Sequence, residues 1–163
     1  MSKKDKIEKT NAMRLLSQAH VPYTVHEYDA EKAVSASDVA SILSQDVKRV
    51  FKTLVTTSKS GTHYVFVIPG EDSLDLKKAA KACEEKFVEM LPQKDLLPLT
   101  GYIHGGCSPI GMKKKFMTFI DESCLNFDTI FVSGGKRGMQ VEVSPKDLIG
   151  VVNAKAVSLT EEK

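Results

Sequence analysis

The chain carries three cysteines in 163 residues, Cys83, Cys107 and Cys124, widely spaced and without a CxxC. So sparse and odd a set excludes a disulfide framework and predicts free thiols in a reducing cytoplasm. The four histidines, His20, His26, His63 and His104, show no i,i+4 pairing and have no cysteine at ligand spacing, so no metal site is expected. No apolar run approaches the roughly 20 residues needed to cross a bilayer, which predicts no membrane association. The polar start, Met1-Ser-Lys-Lys-Asp-Lys, has no apolar stretch behind it and predicts no secretory leader. Charge of one sign is also lacking. Twenty-three Lys and Arg against 21 Asp and Glu leave a net charge of +2, too little to mark a nucleic-acid binder by its total. Asp72 with Asp75, and Asp121 with Glu122, read as caps and surface charge rather than as an acid–base pair. Neither G-x-x-x-x-G-K-[ST] nor a helix-opening G-x-G-x-x-G occurs, so the common nucleotide loops are absent.

What is present is glycine in two concentrated segments, Gly101-Tyr-Ile-His-Gly-Gly-Cys-Ser-Pro-Ile-Gly111 and Ser133-Gly-Gly-Lys-Arg-Gly138. Glycine permits positive φ and close approach to the main chain, and consecutive N–H groups in such turns can bind an anion. Lys113, Lys114 and Lys115 follow the first segment, and Lys136 and Arg137 lie within the second. Two readings fit this basic cluster: a rim around a phosphate- or carbonyl-bearing ligand, or simply solvated surface lysines.

The length suits one domain spanning 1–163. Helical spacing of Met13, Leu16 and His20 predicts a helix over 9–20 with Thr10 or Asn11 as cap. Residues 23–28 alternate and read as a strand, and a short helix capped by Ser35 or Ser37 should run to Leu43 with Val39, Ile42 and Leu43 on its apolar face. Strands are expected at 50–57 and 63–68, joined as a hairpin through 58–62. A helix over 73–82 capped by Ser73, a brief strand at 87–90 and a helical turn at 93–97 follow. Strands near 116–120, 129–133 and 139–143 precede a helix whose Pro145 suits a first turn. Mixed elements with several antiparallel pairs, and no regular βαβ series, predict an α+β fold.

Lys52 interrupts the apolar strand Val50-Phe-Lys-Thr-Leu-Val55. It either points to solvent from a polar face or stands at the mouth of a cleft, where its ammonium would hold an oxyanion, phosphate or carbonyl. Thr53 faces the opposite way and can equally be a strand filler. Cys107 invites a nucleophile hypothesis, but no base or Asp/Asn partner is evident beside His104, and a small buried cysteine fits as well. Ser108 is not in a G-x-S-x-G elbow and would hydrogen-bond a ligand or its own backbone. A pocket with cationic and backbone donors but no general base would have to rely on water, on the ligand's own groups, or on positioning.

Phe51-Lys-Thr-Leu54, Thr100-Gly-Tyr-x-x-Gly-Gly-x-Ser-Pro-x-Gly111 and Ser133-Gly-Gly-Lys-Arg-Gly138, in this order and spacing, resemble the YbaK/EbsC family of Cys-tRNA(Pro) deacylases. That family is related to the editing domain of prolyl-tRNA synthetases. The resemblance extends over nearly the whole chain and implies one compact domain with a mixed, partly barrel-like sheet flanked by helices. It implies cleavage of the ester between a mischarged amino acid and the terminal adenosine of tRNA, with no cofactor. It places Lys52 and Gly105 in catalysis and matches Tyr28, Thr53 and Ser133 to substrate-contacting positions, beside which Gly106, Ser108, Gly134, Lys136 and Arg137 of the glycine segments are expected to bind substrate. It also implies substrate-assisted chemistry, in which the substrate's cysteine thiol attacks its own ester. Related domains act on alanine through water, which leaves an Ala-tRNA(Pro) deacylase or a non-catalytic tRNA-binding module as alternatives. The expected partners are charged tRNA(Pro) and prolyl-tRNA synthetase.

Overall fold

In the computed structural model, which describes residues 9–162, eight strands and five α-helices follow one another in the mixed order expected of α+β. Helix α1 (Asn11–Gln18) opens on Thr10, whose side chain accepts from the Met13 N–H, and it buries Ala12, Met13 and Leu16. Strand β1 (Tyr23–Glu27) is followed by α2 (Ala36–Leu43). Ser35 and Asp38 close a reciprocal capping box at the start of α2. The hairpin β2 (Phe51–Ser58) and β3 (His63–Pro69) is antiparallel, with Lys52 opposite Ile68. Then come α3 (Leu76–Ala82), β4 (Val88–Met90), α4 (Leu96–Thr100), β5 (Met117–Asp121), β6 (Ile130–Ser133), β7 (Met139–Val143), α5 (Pro145–Val152) and β8 (Lys155–Val157).

The strands form two sheets, in the orders β1-β7-β6 and β4-β2-β3-β5-β8. The larger is mixed, because β5 runs parallel to both β3 and β8. The sheets touch through one parallel bridge, Val50–Phe131. Beyond it β2 turns its edge to β4, which pairs with Thr56–Ser58. The outer strands β1 and β8 do not pair with each other, so the expected partial barrel is instead two sheets joined at one corner.

Alternation along β2 divides the core. Phe51 and Val55 face a central cluster shared with Met13, Leu16, Val141 and Leu148, between the two sheets. On the opposite face, Val50 lies with Phe131, Val39 and Ala40 under α2. Two positions further along that same face, Leu54 packs on the cluster of Phe66, Ala79 and Ala80 under α3. Lys52 therefore stands between two helix-covered patches, on a face that neither helix covers at that point.

Several boundaries differ from expectation for local reasons. Helix α3 begins at Leu76 rather than Ser73, because Asp75 accepts from the N–H groups of Lys77 and Lys78. In α2 the buried residues are Val39 and Ala40, whereas Ile42 is exposed. His20 lies beyond α1 in the left-handed region at φ 58° and is exposed. No helix among the described residues is long and apolar enough to cross a membrane.

Candidate active site

The two glycine segments pack against each other. A Cβ on Gly106 would stand 2.9 Å from the Lys136 Cα and the Arg137 N, so only glycine allows this contact. Gly105 takes φ +86° and lies exposed beside the Arg137 side chain. The first residues of α1 brace both segments from outside. Thr10 donates its hydroxyl to the Gly134 carbonyl (2.5 Å), and the Asn11 amide donates to the Gly111 carbonyl (2.6 Å). Within the first segment, the Tyr102 hydroxyl donates to the Ile110 carbonyl at 2.6 Å. The Thr100 hydroxyl accepts from the Tyr102 N–H (3.0 Å). The segment thus keeps its shape through its own hydrogen bonds and the one from Asn11 at the start of α1.

Lys52 reaches this construction through strand register. Val50 and Phe131 are bridge partners in parallel strands, and two residues beyond the bridge in each strand stand Lys52 and Ser133. Bridge partners share a face, as do residues i and i+2, which places Lys52 and Ser133 on one side. Ser133 is paired across the antiparallel ladder with Gln140, and the Gln140 Nε2 donates to the Tyr28 hydroxyl at 3.2 Å. Tyr28 continues β1 by donating its N–H to the Gly138 carbonyl (3.0 Å). Tyr28, Lys52, Ser133 and Gln140 thus share one face. The segment that starts at Ser133 carries the surface on to Gly105 and Gly106 through Lys136 and Arg137, both of which are exposed.

Burial pushes the Lys52 ammonium below the usual lysine range, and the negative charge of Asp72 works against that shift. A half-buried cation that water solvates poorly interacts more strongly with any anion beside it. Lys52 is thus half-buried rather than a fully solvated surface lysine.

Three of the substrate-binding candidates, Thr53, Ser108 and Gly134, do not join the group. Thr53 points to the central core side of β2, where its hydroxyl is buried without a hydrogen-bond partner. Ser108 is fully buried, and its oxygen accepts from the Ile110 N–H at 3.2 Å, the backbone role anticipated as one of its two readings. Gly134 is buried against Met139, and its N–H donates to the Met139 carbonyl. Cys107 is buried, and burial pushes its thiol up to about 12, so it is protonated and poorly nucleophilic at neutral pH. Among the described residues, no three His, Cys, Asp or Glu side chains group so as to hold a metal ion.

The sequence reading missed the polar clamp that fixes the corner between the sheets. Glu142 accepts from Thr129 (2.5 Å), Arg49 (3.1 Å) and His26 (3.0 Å), and Arg49 also donates to the Thr129 carbonyl (3.0 Å) and stacks 5.0 Å over the Phe131 ring. Arg49 directly precedes Val50, so this clamp holds β2 against β6 and hence Lys52 against Ser133. The Thr129 hydroxyl first, then His26 and Arg49, hold the Glu142 carboxyl below the usual carboxylate range, against the opposing effect of burial. Glu142→Gln is expected to cost about 1–3 kcal/mol, the scale of hydrogen bonds to a charged group. Because the folded-state pKa is depressed, the Glu142 carboxylate contributes fully above its unfolded value and the contribution is lost as pH falls through the folded value. Denaturant midpoints of the two proteins should therefore differ at neutral pH and converge in acid.

Comparison with known proteins places this architecture. The family model of the aminoacyl-tRNA editing domain matches residues 30–151. The Enterococcus faecalis protein EbsC, which bears the name Cys-tRNA(Pro)/Cys-tRNA(Cys) deacylase, is 48% identical over the whole of both chains. A proline–tRNA ligase of Brachyspira hyodysenteriae is 24% identical over 134 residues, which cover 82% of this chain and 22% of the ligase. A crystal structure described as a trans-editing enzyme for prolyl-tRNA synthetase superposes with a TM-score of 0.83, covering 93% of this chain and 96% of its own at 24% identity, a likeness of fold. Two sheets joined at a corner, a lysine in the gap between two helices and paired glycine segments are thus the form that the aminoacyl-tRNA editing family takes in this chain, which belongs to that family.

Proposed function

We propose that the whole chain acts as one trans-editing deacylase that removes cysteine from Cys-tRNA(Pro). The observation that carries this reading is the placement of Lys52: half-buried, on one face with Ser133 and Tyr28, and connected through residues 134–138 to the backbone of Gly105 and Gly106. Membership of the editing family and the name of the 48%-identical relative support the reaction class and the amino acid.

Tyr28, Lys52, Ser133 and Gln140 include no carboxylate or imidazole to activate a water, which favours a nucleophile supplied by the substrate itself. The cysteine sulfur of the aminoacyl ester attacks its own carbonyl carbon. The C–S bond forms as the C–O bond to the terminal ribose breaks, and the thiol proton passes to the departing ribose oxygen. The products are a cysteine thiolactone and free tRNA. Lys52 and the Gly105 N–H stabilise the negative charge that builds on the carbonyl oxygen. Lys113–Lys115, Lys136 and Arg137, all exposed, meet the phosphates of the acceptor end and give a salt-sensitive, sequence-independent affinity. So small a basic surface selects tRNAs weakly, which supports a transient complex with prolyl-tRNA synthetase.

The test is loss of ester from tRNA(Pro) charged with cysteine, serine or alanine under single-turnover conditions, with mass analysis of the released product. Cysteine should be lost at least about 10-fold faster than serine, since a hydroxyl is the poorer nucleophile. Cys107→Ala should keep the wild-type rate within a few-fold, given its buried, protonated thiol. Loss of alanine at the cysteine rate would instead mean attack by water, and stability of all three esters would mean a binding module.

A further inference from the structure

Gln140 is more than nine-tenths buried, and one end of its side chain is unsatisfied. Its Nε2 donates to the Tyr28 hydroxyl at 3.2 Å, while its Oε1 is buried with no hydrogen-bond partner. A buried amide that satisfies one end and strands the other costs stability, so a leucine or methionine of similar volume would suit the fold at least as well. What the polar side chain contributes in return is the hydrogen bond of its N–H.

That N–H points at the oxygen of Tyr28. A phenol oxygen that receives a hydrogen bond keeps its own proton available to donate elsewhere. The adjoining groups on the same face are Ser133, the ladder partner of Gln140, and Lys52. We propose that Gln140 is a positioning residue that fixes the Tyr28 hydroxyl as a hydrogen-bond donor toward the aminoacyl ester. The inference rests on the deacylase reading above and adds to it a group acting through Tyr28 rather than on the substrate.

Three variants of the full-length protein test it with Cys-tRNA(Pro). Gln140→Met keeps the volume and removes the donor. Its kcat should fall about 10-fold, the equivalent of one lost hydrogen bond, with KM within about 2-fold and a Tm no lower than wild type. Combining Gln140→Met with Tyr28→Phe should cost no more than Tyr28→Phe alone, because both remove one interaction. Gln140→Glu supplies a donor while its carboxyl is protonated and only acceptors once ionised, when it captures the Tyr28 proton for itself. Its rate relative to wild type should therefore decline as pH rises, a dependence that a purely structural side chain would not produce. A wild-type kcat in Gln140→Met, additive losses in the double variant, or a loss that follows a lowered Tm would each overturn the inference. If Tyr28→Phe is impaired while Gln140→Met is normal, the inference alone fails. If the wild-type protein leaves Cys-tRNA(Pro) intact, the deacylase reading fails and takes the inference with it.

Discussion

Lys52→Met should lower kcat/KM for Cys-tRNA(Pro) by about 10²–10³, the scale of removing one donor from an oxyanion site. Methionine retains an unbranched alkyl stem on the face between Val50 and Leu54, so the substitution removes charge and little volume. The stability of the fold should not follow the rate downward. Burial of the ammonium disfavours its charged form, and that effect outweighs the charge of Asp72. A cation whose folded-state pKa is depressed opposes folding below that pKa, and the penalty is relieved as pH rises through it. Lys52→Met should accordingly unfold at a Tm no lower than wild type at pH 7. The pH profile gives a second readout. The rate should rise as the substrate thiol ionises, then fall as Lys52 loses its proton at a pH below that of an ordinary lysine. In Lys52→Met the falling limb should be missing after subtraction of the enzyme-free rate. Equal kcat/KM in the two proteins would remove Lys52 from the reaction.

How far these features could be read from the sequence depended on whether they were local. Thr10, Ser35 and Pro145 stand at helix starts as their side chains dictate, and the β2–β3 hairpin follows from two apolar runs around a short polar link. Lys52 stood out because a charge inside an apolar strand is a local anomaly. Which way it faces was not legible, since alternation offers two faces and says nothing of what covers each. The answer lies in α2 and α3, which cover Val50 and Leu54 and leave the position between them open. Gln140 and Glu142 were missed for the same reason. In Met-Gln-Val-Glu-Val they read as the solvent side of a strand, yet Gln140 is buried and Glu142 is held by residues from β1, β6 and the segment before β2. Strand β8 escaped because three residues, Lys155–Val157, acquire their strand character from parallel pairing with the distant β5. The residues that a loop or strand advertises by itself were readable, whereas those whose role comes from a neighbour across the sheet were not.

The glycine walls offer the other large effect, and two substitutions of the same kind should move stability in opposite directions. Gly106→Ala adds a Cβ 2.9 Å from three main-chain atoms of Lys136 and Arg137, and no flexible side chain can yield there. One of the two segments has to shift, at a cost of about 1–3 kcal/mol, the usual range for overpacking. For a chain of this size that corresponds to a Tm lower by roughly 2–4 °C per kcal/mol. The rate should suffer more than the fold. A displacement of the Gly105–Gly106 backbone moves the Gly105 N–H relative to Lys52, and misplacement of about 1 Å at a reacting centre can cost 10²-fold. Gly150→Ala is the control. Gly150 lies within α5 with nothing within 4 Å of an added Cβ, so alanine there should stabilise by about 1 kcal/mol through helix propensity and leave the rate unchanged. Thermal unfolding and single-turnover ester cleavage on both variants separate the outcomes. If Gly106→Ala unfolds earlier yet deacylates at the wild-type rate, the contact between the two segments serves the fold alone. If rate falls far beyond the loss of stability, the close approach of two main chains at Gly106 is what holds the carbonyl-binding backbone in place.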